Sequence, residues 1–121
     1  MTGTITPPEQ EALAAVASFD RAFGTRDVDA IMATMTPDCV FEDTGPPDGH
    51  RHVGAAAVRA AWTALFAGSP EAVITAEESF ASGNRVVQLW RYAFDGGHVR
   101  GIDVFTVRDG LVAEKVSYVK G

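Results

Sequence analysis

The apolar positions of this chain follow a helical period in its first half and an alternating one in its second. Leu13, Val16, Phe19 and Phe23 recur at helical spacing and give one apolar stripe. Thr6-Pro7-Pro8-Glu9 ahead of them reads as a capping box with proline in the first turn, and Gly24 offers a stop. Asp27 is placed to cap a second, short helix that carries Ile31, Met32 and Met35 and is closed by Pro37. A third helix is expected over about Gly54–Ala67, with Val58, Trp62, Leu65 and Phe66 on one side and Gly68 and Pro70 as stop signals.

Between the second and third helices, Cys39-Val-Phe-Glu-Asp43 is a short strand. Its alternation puts Cys39, Phe41 and Asp43 on one face, before a loop from Thr44 to Gly49. Four longer strands follow, Ala72–Phe80, Arg85–Phe94, Val99–Val107 and Leu111–Val119, with Gly96-Gly97 and Asp109-Gly110 as two-residue turns. Helices first and a strand meander after predict an α+β fold, a curved antiparallel sheet with about three N-terminal helices over one face. Residues 1–121 read as a single domain, without internal repeats or linkers.

Counting back from a Gly96-Gly97 turn sets Trp90 opposite Asp103 and Gln88 opposite Phe105, on the face of Tyr92. Asp103 in "GIDVF" is thus a carboxylate in an apolar strand beside a tryptophan. One reading gives it a backbone group or an arginine, Arg91 or Arg100, as partner. The other is functional: an apolar surround disfavours the charged form, and a carboxyl held neutral donates a hydrogen bond to a developing oxyanion. A plain Asp109-Gly110 turn places Val116 and Tyr118 on the face of Asp103, whereas a bulged turn places Lys115 and Ser117 there. The plain turn is the register adopted, and with the bulge Lys115 becomes an ion-pair partner of Asp103.

Composition narrows the function classes. Hydrophobic residues are 46% of the chain, enough for a core, and the formal charge of −6 with scattered Lys and Arg argues against nucleic-acid partners. Cys39 is the only cysteine, which excludes an intrachain disulfide and a thiolate metal cluster. No basic-then-apolar leader and no apolar run of membrane-spanning length is visible, so the expectation is a cytoplasmic protein without membrane contact. His50 and His52 form an H-x-H in the loop before the third helix, with only His98 as a further imidazole; no metal and no cofactor are expected, and the pair reads as a solvated loop, the alternative being that His52 hydrogen-bonds a ligand or Asp43 at a pocket rim. Glu42 faces away from Asp43, and Cys39 reads as a small buried filler.

Helix, short helix, "CVFED", loop, "HVGAAAVRAAW" and a meander ending in "GIDVFTVRDGLVAEKV" together resemble the nuclear-transport-factor-2-like superfamily, which includes SnoaL-like proteins and ketosteroid isomerases. The resemblance covers nearly the whole chain. It implies a cone-shaped α+β fold around an apolar pocket for a hydrophobic small molecule, and a homodimer. "FED" before a Gly/Pro loop is similar to the isomerase segment that carries the catalytic aspartate, here Asp43. "GIDVF" is similar to the segment that carries its protonated oxyanion-hole aspartate, here Asp103, a worked case of pKa tuning. Phe19 stands where the resemblance places the oxyanion tyrosine, and phenylalanine donates no hydrogen bond. Phe41, Trp62, Phe66, Trp90, Phe105 and Tyr118 are the remaining expected pocket-lining residues, although Trp62, Phe66, Trp90 and Tyr118 also read as core. The function implied is a cofactor-independent isomerase that shifts a C=C bond by proton transfer. A SnoaL-like polyketide cyclase and a non-catalytic binding or dimerisation module are the alternatives.

Overall fold

The computed structural model describes residues 4–120. Helix α1 spans Pro7–Thr25, opened by the expected capping box: the Thr6 hydroxyl accepts from the Glu9 N–H, and the Glu9 carboxylate accepts from the Thr6 N–H at 3.1 Å. It runs past Gly24 and ends on Arg26, whose left-handed φ of 60° terminates the helix. Helix α2 is Val28–Met32, with the Asp27 carboxylate accepting from the N–H groups of Asp29 and Ala30. Strand β1 covers Met35–Glu42, so Met35 and Pro37 lie in a strand and do not close α2. Proline is tolerated there because the ladder between β1 and the last strand is irregular between Met35 and Val40.

A three-residue strand β2, Arg51–Val53, follows where a loop was expected and pairs with the end of β1. Helix α3 is Ala55–Gly68, and β3 (Val73–Ser82), β4 (Arg85–Phe94), β5 (Gly97–Arg108) and β6 (Leu111–Val119) complete the chain. The sheet has six strands in the order β2-β1-β6-β5-β4-β3. Its pairs are antiparallel except β1 with β6, which run parallel and are joined by the long connection through β2, α3 and the three strands that follow it. The helices cover one face, and Phe19, Trp62 and Phe105 meet between them and the sheet. Their ring centroids are 5.5 Å apart for Phe19–Phe105 and 5.9 Å for Phe19–Trp62.

Both hairpin registers differ from expectation. The β4–β5 turn is Asp95-Gly96, with Phe94 paired to Gly97, so Gln88 and not Trp90 stands opposite Asp103. A two-residue slide preserves parity, which is why Gln88, Trp90 and Asp103 still share a face. The β5–β6 turn is the plain Asp109-Gly110, both at positive φ. One step further the register shifts, since Val107 pairs with Val112 but Thr106 pairs with Glu114. The extra residue, Ala113, is a bulge that reverses the facing of everything after it. Lys115 and Ser117 therefore turn inward beside Asp103, while Tyr118 points out, 56% exposed.

Trp90 owes its position to Gly101, its cross-strand partner: a Cβ at Gly101 would collide with the indole ring and with the Tyr118 carbonyl. Gly101→Ala is expected to lower stability by about 1–3 kcal/mol through overpacking. Urea unfolding checks this; a variant as stable as the parent would show that Trp90 rearranges freely.

Candidate active site

A cavity of about 750 Å³ opens between α1, α3 and the concave face of the sheet. Its walls are mostly apolar; two clusters of polar groups face each other in it, and Arg26, donating to the Ser69 and Ala72 carbonyls, lies elsewhere on the wall. Phe19, Phe41, Phe66, Trp90 and His52 line it, together with Asp43 and Asp103. Trp62 and Phe105 do not: both are fully buried, and they form the packing behind the cavity wall. Tyr118 leaves the site because of the Ala113 bulge.

The first cluster is built on the end of β1. After Glu42 the chain folds back on Asp43, whose Oδ1 accepts from the His50 N–H at 2.8 Å and the Gly45 N–H at 3.0 Å. The same hairpin-like closure has Asp43 N–H donating to the His50 carbonyl at 3.0 Å. Gly49, at φ 78°, permits it, since a Cβ there would strike the Asp43 carbonyl. His52, on β2, brings Nε2 to 3.2 Å from Asp43 Oδ2 and stacks on Phe41 with centroids 5.7 Å apart. Partial burial pushes the Asp43 pKa up. The two backbone N–H groups, the His52 ring and the charge of His50 together pull it further down, to about 2. Asp43 is thus an ionised carboxylate, one-quarter exposed, at the cavity wall.

The second cluster lies across the sheet. Asp103 Oδ1 accepts from Trp90 Nε1 at 2.9 Å and from the Ser117 hydroxyl at 2.6 Å. Lys115 Nζ stands 3.4 Å from that oxygen, donates to Ser117 Oγ at 2.8 Å and sits 4.8 Å above the Phe41 ring. Donors converge on Asp103 Oδ1, and Lys115 is the cation beside it; Arg26 is a second cation on the cavity wall. The expectation of a neutral carboxylic acid at 103 depended on the register that put Val116 and Tyr118 beside it.

Asp20, on the turn of α1 next to Phe19, completes this cluster. Its Oδ2 accepts from Gln88 Nε2 at 2.7 Å, and the same amide nitrogen donates to Ser79 Oγ at 3.0 Å. Burial raises the Asp20 pKa and the nearby Asp103 charge adds to the rise, against the Gln88 hydrogen bond and the Lys115 charge. A raised folded-state pKa means that ionised Asp20 opposes folding at neutral pH, and that the penalty fades as pH falls through that pKa. Asp20→Asn keeps the oxygen that Gln88 needs and removes the charge. It should raise Tm at pH 7, with the gain shrinking as pH falls through the raised pKa of the wild-type carboxyl. A lower Tm at pH 7 would mean that attraction to Lys115 outweighs desolvation.

Asp20, Gln88, Lys115 and Ser117 were not among the expected site residues. Lys115 and Ser117 were visible as the bulged alternative; Gln88 was visible by parity with Trp90. Among the described residues no three of His, Cys, Asp and Glu cluster as metal ligands, and no helix is long and apolar enough to cross a membrane.

A helix-covered, strongly curved sheet enclosing such a cavity is the nuclear-transport-factor-2-like cone. The SnoaL-like domain family model matches residues 15–115, and the chain belongs to that family. It is similar to a nuclear-transport-factor-2-like protein of unknown function from Mesorhizobium loti, with 33% identity over 100% of both chains and a TM-score of 0.85. A protein from Sinorhizobium meliloti, described as a candidate polyketide cyclase, shares 28% identity over 85% of this chain and 92% of its own, with a TM-score of 0.76. A Mycobacterium tuberculosis protein crystallised with estradiol-17β-hemisuccinate shares 28% identity over 89% of this chain and 92% of its own, at a TM-score of 0.73. No curated protein matches the sequence.

Proposed function

We propose that the chain is a cofactor-independent enzyme that moves a proton next to the carbonyl group of an apolar small molecule. One observation carries this reading: an ionised, preorganised carboxylate, Asp43, lines the same apolar cavity as a buried lysine held by Asp103 and Ser117. Removing a proton α to a carbonyl needs a base on one side and positive charge where the oxygen's charge develops. Asp43 supplies the first. Lys115 supplies the second, in place of the tyrosine that Phe19 replaces and of a protonated Asp103. The estradiol ester bound by the M. tuberculosis relative supports a flat, apolar ligand of that general size.

The substrates tested first are β,γ-unsaturated ketones, steroidal and small cyclic, followed by ultraviolet absorption as conjugation forms. Wild type and Asp43→Asn are run side by side. Conjugation by wild type that is lost in Asp43→Asn supports the proposal. Ligand binding without turnover by either would favour the non-catalytic reading, for which the buried, apolar Phe19 is the supporting observation. A polyketide-cyclase reaction would use the same base and the same lysine on a different skeleton.

A further inference from the structure

Lys115 is an unusual residue to find under a ligand cavity. Its side chain is only 11% exposed, and Nζ lies over the faces of Phe41 and Trp62, 4.8 and 5.5 Å from their centroids. Lysine is rarely buried to this extent, and a buried ion pair is no more stabilising than apolar residues of similar volume. Fold stability therefore does not explain the Lys115–Asp103 pair, whereas the cavity it lines does. A lysine amine held in an apolar pocket is the side chain that condenses with an aldehyde or ketone to a Schiff base. Of the other nucleophiles nearby, the Ser117 hydroxyl forms no imine, and Cys39 is fully buried with its thiol pKa pushed up by that burial and does not reach the cavity wall.

We infer that Lys115 is a covalent carbonyl-capture site: its amine condenses with an aldehyde or ketone in the cavity to form an iminium. The inference rests on the proton-transfer reading of the same cavity and specifies how the carbonyl is activated there.

The step balances without any further reactant. The ammonium gives a proton to the Asp103 carboxylate, directly or through the Ser117 hydroxyl that bridges the two. The freed lone pair attacks the carbonyl carbon, and the C=O π pair becomes the oxygen's; a proton then passes from nitrogen to that oxygen, giving the carbinolamine. Asp103 returns its proton to the hydroxyl, the C–O bond breaks, and the nitrogen lone pair forms C=N. The sum is ammonium plus carbonyl giving iminium plus water, so the positive charge beside Asp103 is neutralised along the way and restored at the end. Asp20, whose protonated form burial favours, lines the same wall as a second proton source. Asp43 then takes the α-proton, and its electron pair flows through carbon to the positive nitrogen to give an enamine. Reprotonation and hydrolysis release the isomerised carbonyl compound and the lysine.

Two readouts separate this route from one in which Lys115 only hydrogen-bonds the oxygen. In ¹⁸O-water, an iminium route puts label into the product ketone in step with turnover, while a hydrogen-bonding route leaves exchange at the rate of spontaneous hydration. Independently of turnover, 2-naphthaldehyde with cyanoborohydride should add one reductively trapped adduct. Peptide mapping should place it on Lys115 at least ~10-fold faster than on Lys120, because the cavity holds the aldehyde at the amine. Lys115→Arg keeps a positive charge but makes no imine, and should lose both signals. Turnover without label, or trapping confined to Lys120 and the amino terminus, overturns the inference and leaves the proton-transfer reading standing. Trapping at Lys115 with no ketone turned over supports the capture site and counts against the proton-transfer reading.

Discussion

Asp43→Asn is expected to lower kcat/KM for a β,γ-unsaturated ketone by about 10²–10⁴, the usual contribution of a positioned general base. The substitution is nearly isosteric. Its Oδ1 still accepts from the N–H groups of Gly45 and His50, so the loop and the cavity wall stay in place. What disappears is the proton acceptor, so kcat falls while KM holds or drops. With a pKa near 2, the wild-type base is ionised over the whole working range, and its acid limb lies well below pH 4. Any fall in rate between pH 7 and 5 must come from a group other than Asp43. So low a pKa also makes Asp43 a weak base by Brønsted reasoning, which puts much of the burden on the electrophile opposite. A charged or covalently engaged Lys115 fits that requirement better than a neutral donor. An asparagine variant within a few-fold of wild type would remove Asp43 from the mechanism.

The four long strands were legible because their signals are local. The Thr6–Glu9 capping box, the limits of β4 and β6, and the placement of Asp43 at a strand end all follow from residues within one turn or one alternation. Errors arose where a single residue changes a count. Ala113 carries no mark of a bulge, being neither glycine nor a turn former, yet it inverts the face of Lys115, Ser117 and Tyr118. The Asp95-Gly96 turn moved the register by two, which changed partners but not faces, and so left Trp90 and Asp103 in contact. Met35 and Pro37 were drawn into α2 by helical spacing, but tertiary pairing with Val112 decided for a strand. Asp20 was missed for another reason. On a helix whose apolar stripe includes Phe19, a neighbouring aspartate reads as solvated, and only the approach of Gln88 from β4 shows otherwise.

Removing the positive partner of Asp103 should be as costly to the fold as removing Asp43 is to catalysis. Lys115→Met fills the volume but leaves a carboxylate, 9% exposed, without its cation. Losing one partner of a buried pair destabilises by about 3–5 kcal/mol, because the remaining charge has been taken out of water uncompensated. Here Trp90 Nε1 and the Ser117 hydroxyl still donate to Asp103, so the expected loss is at the low end, about 3 kcal/mol. That corresponds to a drop of roughly 1–2 M in the urea midpoint. Adding Asp103→Asn should return most of it: the amide oxygen keeps both remaining donors satisfied, and no buried charge is left. The coupling in this double-mutant cycle should therefore reach about 2 kcal/mol, well beyond the ~0.5 kcal/mol scatter of independent sites. Additivity within that scatter would mean that the two residues are solvated separately in the cavity. The amine would then have no fixed carboxylate to take its proton, and the proton path assigned to Lys115 would fail.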